Sequence, residues 1–274
     1  MKKISGLYRT IPTSSLVVPR RTINLFSRYK EVFDSYPNLW LTGGAARSPF
    51  VSWAKQKLFR TRTTPEPPRD FDVVIIGGTL KDKALIKNLL RGHVDPQGVS
   101  IEKSVSSYLS SRDVGVNEVL LRPETLIFST RAFRDIQHNQ LNPAATAYDP
   151  DYQDIPYRIG LRALLFSLRE KLPLSPMIQD SVASAKGFSL ILMLSKAFET
   201  GLEDPFFRAL QRLKNPTAMA YDNPLEMIWG LQEDHPDFKL TGNRIQKKLI
   251  QEGLIPDPRE QYEYLLGNRK RWKN

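Results

Sequence analysis

Two aspartates one residue apart, Asp70 and Asp72, stand directly before the apolar run Val73-Val-Ile-Ile76. In a strand, side chains two positions apart share a face, so a strand that includes both aspartates directs two carboxylates at one place. Their like charges oppose each other unless a cation lies between them, and Mg²⁺ prefers oxygen ligands and bridges carboxylates to phosphate groups. Two such ions ~3.5–4 Å apart activate an attacking hydroxyl and stabilise a leaving pyrophosphate in an in-line displacement. Further upstream, Gly43-Gly44 closes Asn38-Leu-Trp-Leu-Thr42, a short strand by composition. Glycines permit close backbone approach, and a helix opening at Ala45 would present free N–H groups to a triphosphate, with Arg47 to neutralise it. Asp70 and Asp72 are therefore candidate catalytic and metal-ligating residues, and Gly43, Gly44 and Arg47 are candidate nucleotide ligands.

The elements that must position these residues follow from periodicity. Ile23–Phe33 has near-helical apolar spacing, and a basic, helix-compatible stretch runs from the glycines to Phe59. Thr61-Arg-Thr-Thr-Pro-Glu-Pro-Pro68 is a loop on composition, expected to be exposed and mobile. Phe71–Ile76, stopped by Gly77-Gly78, is the expected central strand, buried on both faces past its start. A helix at Lys81–Leu90 and strands at Ser100–Val105, Val116–Leu121 and Thr125–Ser129 complete an α/β or α+β head. After Asp149-Pro150 the apolar spacing becomes helical: Leu161 to Leu172 ends at Pro173, Asp204-Pro205 starts a helix with Phe207, Leu210 and Leu213 inside, and Leu225–Leu231 and Ile245–Leu254 follow. The expected division is a head over residues 1–150 and a helical domain over 151–274.

The chain has 274 residues, room for two domains. It has no cysteine, which excludes disulfide scaffolds, thiol nucleophiles and thiolate metal sites, and its three histidines are far apart in sequence. The longest apolar stretch, Leu190 to Leu194, is too short to cross a membrane. A reducing cytoplasm suits such a chain; an acid-poor, Ser/Thr-containing start makes a mitochondrial address the alternative. The net charge is +11, and residues 1–65 carry +10 of it, with only Glu31 and Asp34 opposing twelve Lys and Arg. A field so one-sided attracts a polyanion, of which nucleic-acid phosphate is the commonest. Lys55, Lys57, Arg60 and Arg62 are the candidate RNA contacts nearest the carboxylates, and Arg269, Lys270, Arg271 and Lys273 around Trp272 form a second cluster.

Taken in order, a strand, Gly43-Gly-Ala-Ala-Arg47, a helix, Arg69-Asp-Phe-Asp72 and an apolar strand resemble the nucleotidyltransferase domain of the DNA polymerase β superfamily, in particular the CCA-adding tRNA nucleotidyltransferases and bacterial poly(A) polymerases. Ser111-Arg-Asp-Val-Gly-Val-Asn117 is similar to that family's Arg-Arg-Asp-Phe-Thr-Ile-Asn segment, which implies that Arg112, Asp113 and Asn117 line the sugar and triphosphate. Arg134-Asp-Ile-Gln137 falls where that family has an Asp-Leu pair, and Asp135 is read there as structural. Gln153-Asp-Ile-Pro-Tyr-Arg158 and Leu161-Arg-Ala-Leu-Leu-Phe166 resemble the segment that reads the incoming base. By that match Asp154 and Arg158 are the amino-acid template, and Arg162 joins the nucleotide ligands.

The resemblance implies a nucleotidyltransferase head with a mixed sheet and an all-α neck and body that binds RNA. It also implies two Mg²⁺ ions, CTP and ATP as substrates, and an RNA partner, the tRNA 3′ end, for CCA addition or repair. Poly(A) synthesis, transfer to a small molecule or protein, and a catalytically silent RNA-binding homologue are the alternatives. The chain departs from the family's residues at Ser48, Ser111, Gly115 and Gln153. One additional residue between Asp154 and Arg158 turns an arginine on a helix by ~100°. For a third carboxylate the candidates are Asp113 and Glu118.

Overall fold

The computed structural model describes residues 8–94, 96–143, 155–185, 187–213 and 239–251. The chain divides into two compact units, one of Met1–Asp151 with Glu170–Ser175 and one of Tyr152–Arg169 with Pro176–Asn274. Where the sequence reading divides the chain once, after residue 150, a short segment beyond it returns to the first unit.

The first unit is built on a six-stranded mixed sheet of β1 (Tyr8–Pro12), β2 (Leu39–Leu41), β3 (Val73–Ile76), β4 (Val99–Glu102), β5 (Val119–Leu121) and β6 (Thr125–Ser129), in the spatial order β1-β6-β5-β2-β3-β4. Only β3 and β4 pair in parallel; β2 runs antiparallel to β3, with Leu41 opposite Val73. The β-branched run of β3 suits a strand covered on both sides, and Val73, Val74 and Ile75 are all buried. One face packs Val74, Leu120 and Ile127 with Tyr108 and Leu109. On the other, Phe50 stacks on Phe128 at 4.9 Å between ring centroids.

The helices of this unit are α1 (Arg20–Arg28), α2 (Lys30–Ser35), α3 (Gly43–Phe59), α4 (Leu80–Leu89), α5 (Val105–Ser110) and α6 (Thr130–Gln137). The single helix expected over Ile23–Phe33 is two. Tyr29 leaves helical geometry at φ −113° and ψ 30°, and its hydroxyl is 2.9 Å from His93 Nδ1. The helix expected after the glycines begins at Gly43 itself, and its small residues Ala45, Ala46 and Ala54 let it lie close on β5 and α6. The strand expected at Ser100–Val105 ends at Glu102, because Ser104 accepts from Ser107 N and starts α5. The strand expected from Val116 begins at Val119, since Gly115–Asn117 forms a turn of 3-10 helix.

In the second unit the described residues form helices and turns: α7 (Ile155–Glu170, whose last residue lies in the first unit), α8 (Pro176–Ala183), α9 (Gly187–Thr200), α10 (Glu203–Leu213) and α11 (Lys239–Gln251). Phe206, Phe207, Leu210, Ile245 and Leu249 are buried, and α10 packs on α8 and α9. Asp204 and Pro205 fall in the first turn of α10 instead of at its cap, and Lys248 Nζ reaches Asp204 Oδ1 at 2.6 Å. Asp154, Leu225–Leu231 and the cluster around Trp272 lie outside the described residues. Among the described residues no helix is long and apolar enough to cross a membrane.

Candidate functional site

The N-terminus of α3 and the residue that enters β3 meet. Gly43 opens the helix at φ +57°, and a Cβ built there would lie 2.6 Å from Asp72 Oδ2. Only glycine takes that backbone angle readily, and only glycine leaves room for the carboxylate. Thr42 precedes it, donating its N–H to Asp72 O at 2.9 Å without a side-chain cap on the helix, so the first N–H groups of α3 lie beside an acidic residue. At Gly44 a Cβ would meet nothing within 4 Å. The strand proper begins at Val73: Asp70 sits in an exposed bend and Asp72 is half-buried, so strand alternation does not place the two carboxylates as the sequence reading has it.

A second group lies on the 3-10 turn before β5. Asp113 Oδ1 accepts from Val114 N at 3.0 Å and from Asn117 Nδ2 at 2.8 Å. Arg47 Nη1 donates to Asn117 Oδ1 at 2.7 Å, while its Nε donates to Glu170 Oε1 at 2.8 Å. Arg47, read from sequence as a triphosphate ligand, is 3% exposed, with its guanidinium committed to these partners. Arg112 remains half-buried; its guanidinium lies 4.2 Å from the centroid of the Tyr108 ring, and its Nη2 donates to Ser111 Oγ at 2.8 Å. Tyr108 escaped the sequence reading. Its phenol is buried, which raises its pKa, against the pull of nearby Arg112 and a hydrogen bond with Thr42, and Asp72 and Asp113 add to the rise. Tyr108 thus bridges the glycine and the turn groups, although nothing in its local sequence marks it.

Beneath the turn lies a buried acidic pair. Glu118, a candidate for the third carboxylate, is fully buried with Oε1 2.7 Å from Arg131 Nη2; burial raises its pKa, opposed by Ser129 and Arg131. Asp135 is 1% exposed and accepts from Asn142 Nδ2 at 2.9 Å. Burial pushes it up to about 7, against those bonds. A Cβ at Gly115 would lie 2.5 Å from Asp135 Oδ2, so glycine at this position leaves room for the carboxylate.

Among the basic candidates, Lys57, Arg60 and Arg62 are exposed. Lys55 is not free in the same sense: its Nζ donates to Glu170 O at 2.5 Å and to Lys171 O at 3.4 Å, and burial lowers its pKa. The Thr61–Pro68 loop is anchored. Ser48 Oγ accepts from Glu66 N at 2.7 Å, Ser52 Oγ donates to Thr63 O, Arg21 Nη1 donates to Pro68 O at 2.6 Å, and Pro65 and Pro68 are buried. Arg158 and Arg162 are carried by α7; Arg162 is exposed, its guanidinium 5.6 Å from the Phe166 ring centroid.

The described residues thus combine a mixed sheet, in which a glycine-led helix lies beside a strand-entry aspartate, with a second unit whose described part is helices and turns. No protein-family model matches the chain, and no curated protein matches it. Solved structures do. The complex of a CCA-adding enzyme with ATP aligns at a TM-score of 0.53 and 16% identity over 84% of this chain and 62% of that one. Apo form I of a CCA-adding enzyme aligns at 0.51 and 17% identity, again over 84% and 62%. The Thermotoga maritima CCA-adding enzyme complexed with tRNA aligns at 0.51 and 18% identity, over 76% and 54%. The chain thus has the fold of the CCA-adding enzymes and spans roughly half to three fifths of the length of these structures.

Proposed function

We propose that the chain is an RNA 3′-terminal nucleotidyltransferase that moves a nucleoside monophosphate from an NTP to an RNA 3′ hydroxyl and releases pyrophosphate, with addition or repair of CCA on tRNA as its reaction. One observation carries the reading: the Asp72 carboxylate lies against Gly43, the left-handed first residue of α3, so that an acid and the N-terminus of a helix share one place. The solved structures of this fold that contain ATP or tRNA support it.

In this reading the N–H groups at Gly43 and Gly44 hold the triphosphate, and the open space at Gly44 lets the backbone approach it. Asp72, with Asp70 two residues before it, would offer oxygen donors to Mg²⁺, and the ion if bound would supply Lewis-acid activation of the hydroxyl and neutralise the leaving pyrophosphate; among the described residues no group of three or more acidic or histidine side chains is gathered to hold it. Arg112, held over Tyr108, takes the sugar and triphosphate side with Asp113, while Asn117 and Arg47 position them. Asp154, Arg158 and Arg162 select the base, and Lys57, Arg60 and Arg62 hold the RNA backbone.

The test supplies Mg²⁺, tRNA trimmed at its 3′ end and each labelled NTP separately, beside an Asp70→Ala/Asp72→Ala double variant. CTP and ATP incorporation, lost in the variant, is the expected result; ATP alone in long runs would mean poly(A) synthesis. A second reading, a silent RNA-binding homologue, draws on Ser48, whose hydroxyl is committed to the Glu66 N–H where the family has an acid. Equal RNA binding by both proteins with no incorporation would establish that reading instead.

A further inference from the structure

A buried cation–anion contact that reaches the turn of Asp113 and Asn117 comes from far along the chain. Glu170 lies 123 positions from Arg47, and both side chains are almost wholly buried. Arg47 uses Nε for Glu170 Oε1 at 2.8 Å and Nη1 for Asn117 Oδ1 at 2.7 Å; Asn117 passes on the bond, donating Nδ2 to Asp113 Oδ1 at 2.8 Å. A guanidinium is planar and rigid, so anchoring Nε by a carboxylate fixes where Nη1 points. That in turn fixes the amide of Asn117, which, with oxygen toward Arg47 and nitrogen toward Asp113, has one productive orientation. Asn117 is itself buried, whereas Asp113 is half-buried beside Arg112. The chain of bonds runs from the interior outward and ends on Asp113, a half-buried residue whose Oδ2 is itself buried.

We propose that Glu170 is a positioning residue: through Arg47 and Asn117 it sets the carboxylate of Asp113 for the sugar side of the bound nucleotide. The inference rests on the proposed nucleotidyltransferase reading for its ligand, and on the hydrogen bonds alone for its mechanics. Lys55 supports it from the same helix. Its ammonium holds Glu170 O at 2.5 Å, eight residues along α3 from Arg47, so α3 grips Glu170 by backbone and side chain together. Removing the negative charge of Glu170 leaves the Arg47 guanidinium without its fixed partner while the backbone grip remains.

The experiment uses Glu170→Gln, which keeps shape and an acceptor, with Glu170→Ala as the stronger variant if it folds. Two measurements are made on the full chain. Hydrogen exchange reads the amides of residues 113–118 without nucleotide, and exchange there is expected to rise about tenfold in Glu170→Gln, with β3 unchanged. Steady-state transfer to trimmed tRNA reads KM and kcat, and the KM for NTP is expected to rise about tenfold with kcat within about threefold. In an Asp113→Ala background the same change in Glu170 is expected to add little, since the two act through one chain of bonds. A uniform rise in exchange across the head, or a loss of kcat with KM unchanged and additive with Asp113→Ala, would mean a merely structural ion pair and overturn the proposal. If the wild type transfers nothing yet the turn alone loosens, the positioning holds and the nucleotidyltransferase reading fails; if the wild type transfers and the turn does not loosen, the reading stands and the positioning fails.

Discussion

Gly43 and Gly44 adjoin in sequence yet face opposite demands, and substituting each with alanine separates them. At Gly43 an alanine must adopt φ +57° and place its methyl 2.6 Å from Asp72 Oδ2; the left-handed angle alone costs about 1–2 kcal/mol. Gly43→Ala is expected to lower unfolding stability by about 1–3 kcal/mol in urea titration. At Gly44 a methyl meets nothing and alanine favours a helix by roughly 1 kcal/mol. Gly44→Ala is thus expected to match or exceed wild-type stability while its transfer rate falls at least tenfold, because the methyl fills the space proposed for the triphosphate. Equal rates would remove Gly44 from the nucleotide site. Asp135 gives a pH prediction of definite sign. Its pKa is raised to about 7 in the fold, above the ~3.9 of an unfolded chain, so the folded protein binds the extra proton between those values. Its favourable contribution is complete below pH ~3.9 and is lost as pH rises through about 7. Urea titrations at pH 5, 6, 7 and 8 are expected to show the wild type losing stability across this window relative to Asp135→Asn; parallel curves would refute it. The glycine pair and the two aspartates stand out in the sequence because each motif is local, but the strand begins only at Val73 and does not align the two carboxylates. The Arg47–Glu170 bond was not legible there, since 123 residues separate its ends and a buried arginine carries the same letter as an exposed one.

At the scale of elements, serines at 48 and 52 lie one helical turn apart on α3 and hold the proline-rich loop. Ser48 accepts from Glu66 N and Ser52 bonds Thr63, so composition alone, which marks Thr61–Pro68 as a loose exposed loop, misses the anchoring. The loop's prolines lack N–H groups and cannot join the sheet, but Pro65 and Pro68 offer apolar surface and are buried. Ser48→Ala/Ser52→Ala is expected to release the segment and to speed tryptic cleavage at Arg60 and Arg62 roughly tenfold, with little change in cleavage after α4; unchanged cleavage would mean that the two serines do not hold it. The same contrast between pattern and placement recurs elsewhere. Phe71–Ile76 reads as a strand buried on both faces past its start, and the strand formed is Val73–Ile76, whose β-branched side chains are covered on both sides. Its first residues do not extend to Asp70, since β2 supplies only Leu39–Leu41 as partners. Apolar spacing likewise identifies the helical region around α1 and α2 but cannot see Tyr29 turning out of the helix to meet His93, a residue 64 positions away.

For the whole molecule, the excess positive charge of residues 1–65 is a fact of sequence, but its effect on RNA depends on which cations the fold leaves to solvent. Arg47 is buried with Glu170, and Lys55 is held by the carbonyl oxygens of Glu170 and Lys171, a segment that returns to the first unit from beyond the main division of the chain. Neither the return nor the loss of these two charges is visible in a count of Lys and Arg. Lys57, Arg60 and Arg62 by contrast are exposed around the end of α3 and the start of the anchored loop. Each cation that neutralises a phosphate of a single strand steepens the fall of log K with log salt by ~0.7. Replacing Lys57, Arg60 and Arg62 by glutamine is therefore expected to make the slope for a tRNA 3′ end shallower by about 2. Lys55→Gln is expected to leave the slope within about 0.3 of wild type while lowering thermal stability, because the ammonium serves the fold and not the phosphates. Fluorescence anisotropy titrations between 50 and 200 mM salt, roughly the range over which counterion release is strongest, decide the matter. A large change of slope for Lys55→Gln and none for the triple variant would move the RNA path to the other side of α3.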